Sequence, residues 1–154
     1  FAKDKSPYKT NMGASINKGG RKAENSAGYY FHLEPGGVFT GGGIWMPMPD
    51  ELKKVRQEID YNFTDFKKII AAKKFKTVYG ELSSNPEYKL SRVPKGYDPE
   101  NPAAEFLKLK SYIAMIKISD ADLSSKDLVK KTVAAFEALQ PLIEFINEAL
   151  RAPE

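Results

Sequence analysis

The stretch GYYFHLEPGGVFTGGGIW, residues 28–45, predicts a β-hairpin. From Tyr29 to Glu34 successive side chains fall on alternate faces, as a strand requires, and the composition favours β structure. The EPGG that follows favours a turn, because proline presets φ and glycine accepts left-handed angles. The second strand resumes at Val38. Its three consecutive glycines indicate a bulge, or the close approach of another backbone or a ligand.

The elements that follow the hairpin indicate an α+β fold. Pro49 and the two acids after it begin a helix, and a second helix with a phenylalanine and isoleucine stripe follows. Residues 111–119, SYIAMIKIS, predict a strand, and residues 73–82 predict a short one. A long helix closes the chain, and Pro141 should kink or divide it. We therefore expect a mainly antiparallel sheet with its hairpin at about 29–45, helices packed on one face and a long C-terminal helix.

Size and composition predict a single domain over residues 1–154 with a sizeable core, since 42% of the residues are hydrophobic. The absence of cysteine excludes disulfides, thiolate zinc sites and cysteine nucleophiles. No apolar run approaches the roughly 20 residues of a membrane span, and no signal-peptide pattern is present. We therefore expect a cytoplasmic protein that does not enter the membrane.

Positive charge is concentrated at the start of the chain. Residues 1–22 carry a net charge of +5, and the other 132 residues carry −1. Residues 1–28 are also rich in glycine, asparagine and serine, so we predict a basic, irregular segment. Such a segment is either a solvated tail or one wall of a site for phosphates or polyanions.

Within this segment, residues 1–9 mix a carboxylate, ammonium groups and a phenol on a chain that Pro7 stiffens. Side chains of these types can surround an anion with hydrogen-bond donors. The structural alternative is that Lys5 pairs with a carboxylate and the ring of Tyr8 packs into the core. The candidate ligand-binding residues of the chain are Asp4, Lys5, Tyr8, Lys9, Arg21 and His32.

His32 is the single histidine and shares a strand face with Tyr30 and Glu34. Metal sites usually need three or four ligands, so we predict a hydrogen-bonded structural histidine, no metal and no cofactor. No P-loop pattern and no GxSxG nucleophile elbow is present. No motif in the chain therefore fixes a reaction.

Several stretches carry a resemblance to a known family. FAKDKSPYKT at residues 1–10, GGGIWMPMPDELKKVRQEI at 41–59 and LSRVPKGYDPENPAAEFLKLKSY at 90–112 are similar to a conserved, largely bacterial family, domain of unknown function 2461. Phe1, Asp4, Lys5 and Tyr8 follow the order of the second half of its signature, RxxRDxRF…[DN]KxxY. The resemblance covers nearly the whole chain.

The resemblance has two implications. The arginine-rich half of the signature would precede Phe1, so we expect the chain to be the C-terminal portion of a longer protein. The missing arginines would stand beside Asp4, Lys5 and Tyr8, which favours a site for phosphate or carboxylate, or else an ion-pair network. The family's function is unknown, so the resemblance supplies no activity.

Three hypotheses of function follow. The leading one is the binding of an anionic ligand by the basic segment and the glycine-rich hairpin, the partner being a phosphorylated small molecule or a nucleic-acid backbone. The second is an enzyme that uses Asp4, Lys5, Tyr8 and His32. The third is a structural or interaction module that docks through residues 128–150 and would expose a contiguous apolar patch there.

Overall fold

The computed structural model describes residues 9–20 and 26–151. Over these residues the chain forms a four-stranded sheet in which every neighbouring pair is antiparallel and the spatial order follows the chain. The strands are β1 (Met12–Ile16), β2 (Gly28–Leu33), β3 (Phe39–Ile44) and β4 (Tyr112–Lys117). The predicted antiparallel sheet, its hairpin and the strand at residues 111–119 are confirmed.

Six helices accompany the sheet in the described part of the chain. They are α1 (Pro49–Tyr61), α2 (Phe63–Ala71), α3 (Lys73–Tyr79), α4 (Ala104–Leu107), α5 (Asp120–Leu123) and α6 (Leu128–Arg151). A short 3-10 helix spans Pro86–Tyr88. The α+β class predicted from the sequence is confirmed.

Strand β1 corrects the prediction that residues 1–28 are irregular. It pairs with β2 in a register that places Ala14 opposite Phe31. All five of its residues are exposed, because β1 is an edge strand that no helix covers. The sequence of β1 does not alternate between apolar and polar residues as a half-buried strand does. Its backbone hydrogen bonds to β2 therefore stabilise its conformation, and its side chains do not. Residues 1–8 and 21–25 of that predicted segment lie outside the described residues.

The glycines of β3 allow two backbones to approach closely. Gly43 has a φ of 120°, and a Cβ built on it would overlap with the Tyr112 carbonyl oxygen and lie 2.9 Å from the Cα of Ile113. Gly41 is crowded in the same way, since a Cβ there would lie 2.8 Å from the Cα of Met115. The sequence expectation of a close approach is thus met by β4, at positions where a side chain would not fit.

Helix α3 corrects a second prediction, the short strand at residues 73–82. Lys73–Tyr79 is helical and ends at Gly80, whose φ is 73°. Phe75 is fully buried in the core, and the Tyr79 hydroxyl donates to the Ala135 carbonyl of α6 at 2.7 Å. Packing against α6 therefore decides the conformation of a segment whose composition was ambiguous.

Helix α6 runs without division from Leu128 to Arg151, although Pro141 lies inside it. Proline removes one helical hydrogen bond, but the buried stripe continues on both sides of it. The buried residues of this stripe are Ala135, Ala138, Leu139, Leu142, Ile143, Phe145, Ile146 and Ala149. Within residues 9–20 and 26–151, none of the helices combines the length and apolar character that crossing a bilayer requires.

The helices pack on one face of the sheet and leave the other open. Tyr29, Gly42 and Ala114 share the covered face, where α6 crosses β3 and the Tyr29 ring packs on Phe136 at 4.6 Å. The opposite face carries the second set of alternating residues, among them Tyr30, Gly41, Phe39 and Met115. The candidate site lies on this open face.

Candidate ligand-binding cleft

The sequence-predicted site residues fall into two groups. Lys9 and His32 belong to the described part of the chain. The other four lie outside the described residues, and their roles stay predictions: Asp4, Lys5, Tyr8 and Arg21.

Lys9 lies three residues before β1, beside the turn that joins β2 to β3. It lines a recess of about 420 Å³ together with Glu34 and Asp120. Two carboxylates thus share this recess with one ammonium group, so the described residues give it no excess of positive charge.

His32 has a neighbour at each ring nitrogen. Its Nδ1 lies 3.0 Å from the Tyr30 hydroxyl, and its Nε2 lies 3.1 Å from a carboxylate oxygen of Glu34. The imidazole also stacks on the ring of Phe39, with ring centroids 4.5 Å apart and planes inclined by 16°. Both nitrogens are therefore engaged within the sheet face that His32 shares with Tyr30 and Glu34.

A cleft of about 880 Å³ opens on the free face of the sheet, where β3 ends and β4 begins; we call it the hairpin cleft. The glycine-rich end of β3 and the β4 residues Ile113 and Met115 line it. One wall is the connection from β3 to α1, residues 45–48, and the other comes from Ser15, Asn17 and Ser26. Of the described lining residues, Glu51 alone is charged.

The wall at residues 45–48 exposes large apolar side chains. Trp45, Met46 and Met48 are 55%, 48% and 65% exposed. The Trp45 ring packs edge-on against Tyr88, with centroids 4.9 Å apart. A local group of exposed aromatic and methionine side chains beside a concavity is typical of a binding surface.

The backbone of this wall is strained. Met46 has a φ of 44°, the one positive φ at a non-glycine residue in the described chain. Its N–H donates to the hydroxyl of the buried Ser111 at 2.9 Å, which holds the strained conformation in place. Glu51 accepts from the Met48 N–H at 2.8 Å and so ties the same wall to the first turn of α1. Such strain persists where the surrounding structure over-determines it, and it is concentrated at functional sites.

Asn17 brings a buried acceptor to the cleft. Its Oδ1 is buried and has no hydrogen-bond partner among the described residues. Leaving a buried acceptor unpaired costs about 1–3 kcal/mol, so native structures rarely do so without a reason. Asn17 is also a lining residue of the hairpin cleft, so one wall of the cleft contains a side chain whose acceptor has no partner in the described chain.

Tyr29 is among the residues that line the cleft, but its ring lies on the covered face of the sheet against Phe136 of α6. Burial, and secondarily the nearby Glu144 carboxylate, raise the pKa of its phenol above the ordinary value of 10.0. The hydroxyl consequently stays protonated at neutral pH, on the side of the sheet that faces α6.

Asn17 and the wall at residues 45–48 are not among the site residues that the sequence predicts. An apolar run, WMPM, placed between a strand and a helix was the available signal for the wall, because connections are usually polar. No local pattern marks Asn17, since its importance comes from the burial of a single atom.

The predicted docking helix exposes little apolar surface. Val129 and Val133, one turn apart at the start of α6, are the large apolar side chains of that helix that are exposed within the described residues. Two valines are less than the contiguous apolar patch that docking through residues 128–150 would need.

Comparison with known proteins identifies one family. A family model described as conserved hypothetical protein (DUF2461) matches residues 1–145, nearly the whole chain. No curated protein and no solved structure matches the chain.

Proposed function

For a chain that belongs to the DUF2461 family of conserved hypothetical proteins, we propose that the hairpin cleft binds a small organic ligand. The apolar part of the ligand packs against Trp45, Met46 and Met48. A hydrogen-bond donor on the ligand pairs with Oδ1 of Asn17 when that side chain turns towards the cleft. An anionic group, phosphate or carboxylate, is held by Arg21 and Lys22, which flank cleft residues in the sequence.

The size and the lining of the cleft support a small-molecule ligand. Its volume of about 880 Å³ falls within the roughly 300–1,000 Å³ of ligand pockets in general. Apolar walls with a few polar atoms are also the usual composition of such sites, because the walls supply affinity and the polar atoms supply orientation.

The unpartnered Oδ1 of Asn17 is the observation that carries the proposal. A donor group on the ligand would supply the hydrogen bond that this atom lacks. Binding would therefore offset the unfavourable free energy of leaving the buried acceptor unpaired in the unliganded protein. The strained backbone at Met46, on the opposite wall, is a second feature that a purely structural surface does not require.

Chain connectivity supports the anionic group. Arg21 lies four residues after Asn17, and Lys22 lies four residues before Ser26, so both flank cleft residues in the sequence. Four residues of trans backbone span at most about 14 Å. The contributions of Asp4, Lys5, Tyr8, Lys9 and His32 stay predictions, and a nucleic-acid backbone is the alternative source of the phosphate.

The single tryptophan of the chain makes the proposal testable by fluorescence. We expect Trp45 emission to change saturably on titration with a nucleotide, a sugar phosphate or an aromatic carboxylate from a small panel. Asn17→Ala should weaken that binding by about 5–150-fold, because it removes the acceptor. The same substitution should not lower the Tm, because the lost atom has no partner in the described structure.

Asn11→Ala is the matched control, since Asn11 lies at the other end of β1 and outside the hairpin cleft. It should leave the affinity unchanged. Oligonucleotides in the panel separate the two sources of phosphate, because binding to a nucleic-acid backbone falls steeply with salt. If no compound changes Trp45 emission or the Tm of the protein, the proposal is wrong.

A further inference from the structure

A second cleft, of about 820 Å³, lies away from the hairpin and between α1 and the loop that contains Pro94–Tyr97; we call it the Arg56 cleft. Four basic side chains line it, from Lys53, Lys54, Arg56 and Lys95. The hairpin cleft, by contrast, has no basic side chain among its described lining residues.

Arg56 is half-buried in this cleft without an acidic partner. One of its terminal nitrogens, Nη2, donates to the Leu109 carbonyl at 2.9 Å. No carboxylate lies within 4 Å of it in the described chain, and its buried Nε has no hydrogen-bond partner there. A guanidinium removed from water is normally paired with an anion, because desolvating an uncompensated charge is costly.

The carboxylates around the cleft are directed elsewhere. Asp60 accepts from the side-chain amide of Asn101, and Glu58 accepts from that of Asn62 at 2.7 Å. Asp50 lies in the first turn of α1, where the helix dipole favours it. Lys53 and Lys95 at the rim also have no carboxylate within 4 Å in the described chain. The three acids thus reduce the positive charge of the cleft without neutralising Arg56 directly.

The loop opposite α1 is held in a defined turn. The Tyr97 N–H donates to the Pro94 carbonyl at 3.3 Å, and Gly96 has a φ of 100°, which a residue with a Cβ would rarely adopt. This turn places Lys95 and Tyr97 in the wall of the cleft. Burial, then the Asp60 carboxylate, raise the pKa of the Tyr97 phenol, which therefore remains a neutral donor.

We propose that the Arg56 cleft binds a small oxyanion, the phosphate or carboxylate group of a ligand, with Arg56 as its principal contact and Lys53 and Lys95 at the rim. The planar guanidinium can donate two parallel hydrogen bonds to such a group. The lysines supply the additional charge that draws the anion to the cleft. This site is distinct from the hairpin cleft and goes beyond the function proposed for it.

The Nε–Hε resonance of Arg56 in ¹⁵N NMR spectra of the whole chain tests the proposal directly. Titration with inorganic phosphate should shift this resonance saturably, with a Kd on the order of 1 mM. Parallel titrations with sulfate and with citrate distinguish a phosphate-type oxyanion from a carboxylate. Arg56→Lys should weaken phosphate binding, because an ammonium group cannot form the paired hydrogen bonds.

Rim substitutions keep the test independent of folding. Lys53→Glu combined with Lys95→Glu should weaken phosphate binding at least tenfold while leaving the Tm close to that of the parent chain. Lys67→Glu combined with Lys74→Glu, an equal charge change at exposed residues of α2 and α3 outside the cleft, should alter the affinity less than twofold. Unchanged binding in the double variant, or no saturable shift of the Arg56 resonance with any of the three anions, would refute the proposal. Either result leaves the Trp45 titration of the hairpin cleft unaffected.

Discussion

Gly43 shows how a single residue shapes both the sheet and the hairpin cleft. Its φ of 120° lies in a region that residues with a Cβ rarely adopt, and any Cβ there would collide with the β4 backbone at Tyr112 and Ile113. Gly43 also lines the hairpin cleft. The close pairing of β3 and β4 that this glycine permits therefore forms part of the cleft.

Gly43→Ala should destabilise the protein by at least about 2 kcal/mol, because backbone strain and a clash with β4 add together. Gly36→Ala is the matched control. Gly36 also has a positive φ, 72°, but nothing lies within 4 Å of a Cβ built there, so only the strain of about 1 kcal/mol applies. Urea unfolding of the two variants measures the difference, and equal losses of stability would contradict the close approach of β3 and β4.

At the scale of the element, ion pairs connect segments that lack a strong apolar stripe. Glu105 of α4 accepts from Lys108 at 2.6 Å and from Lys89, which follows the 3-10 helix, at 2.8 Å. These hydrogen bonds lower the pKa of the Glu105 carboxyl from 4.5 to about 2, and the one from Lys108 has the larger effect. The carboxylate thus joins the four-residue helix α4 to the preceding loop.

Glu105→Gln should lower the Tm at neutral pH, since it removes both ion pairs. A carboxyl whose pKa is lower in the folded chain stabilises that state above its ordinary pKa, and this contribution is lost as the pH falls from 4.5 to about 2. The Tm difference between the parent and the variant should therefore narrow over that interval, as thermal melts at successive pH values will show. Glu87→Gln, at an exposed residue with no ion pair within the described chain, is the control, and a difference that stays constant with pH would contradict the role of Glu105.

At the scale of the whole molecule, α6 joins the sheet to the other helices. Leu139 is fully buried and packs against Gly42 of β3. A Cβ built on Gly42 would lie 3.0 Å from the Cδ2 atom of Leu139. The same helix accepts the Tyr79 hydrogen bond from α3, and Phe145 packs against Phe66 of α2 with ring centroids 5.5 Å apart. We therefore expect the sheet and the helices to unfold together.

Leu139→Ala should destabilise the protein by about 2–5 kcal/mol, because it leaves a cavity between α6 and the sheet. Urea unfolding followed by Trp45 emission, which reports the end of β3, and by far-UV circular dichroism, which reports the helices, should give coincident midpoints. Val129→Ala, at an exposed position of the same helix, should change stability by less than about 0.5 kcal/mol. Separate midpoints would show that the two layers do not form one cooperative unit.

Local patterns were enough to predict the β2–β3 hairpin, β4, α1, α2 and the long α6, because each has its own period or turn residues over consecutive positions. They failed at β1 and α3, whose conformations depend on pairing with β2 and on packing against α6. The unpaired atoms of Asn17 and Arg56 could not be predicted from the sequence either. Whether an atom is buried, and whether it has a hydrogen-bond partner, depends on residues that are distant in the chain but close in space. Only the tertiary structure brings those residues together.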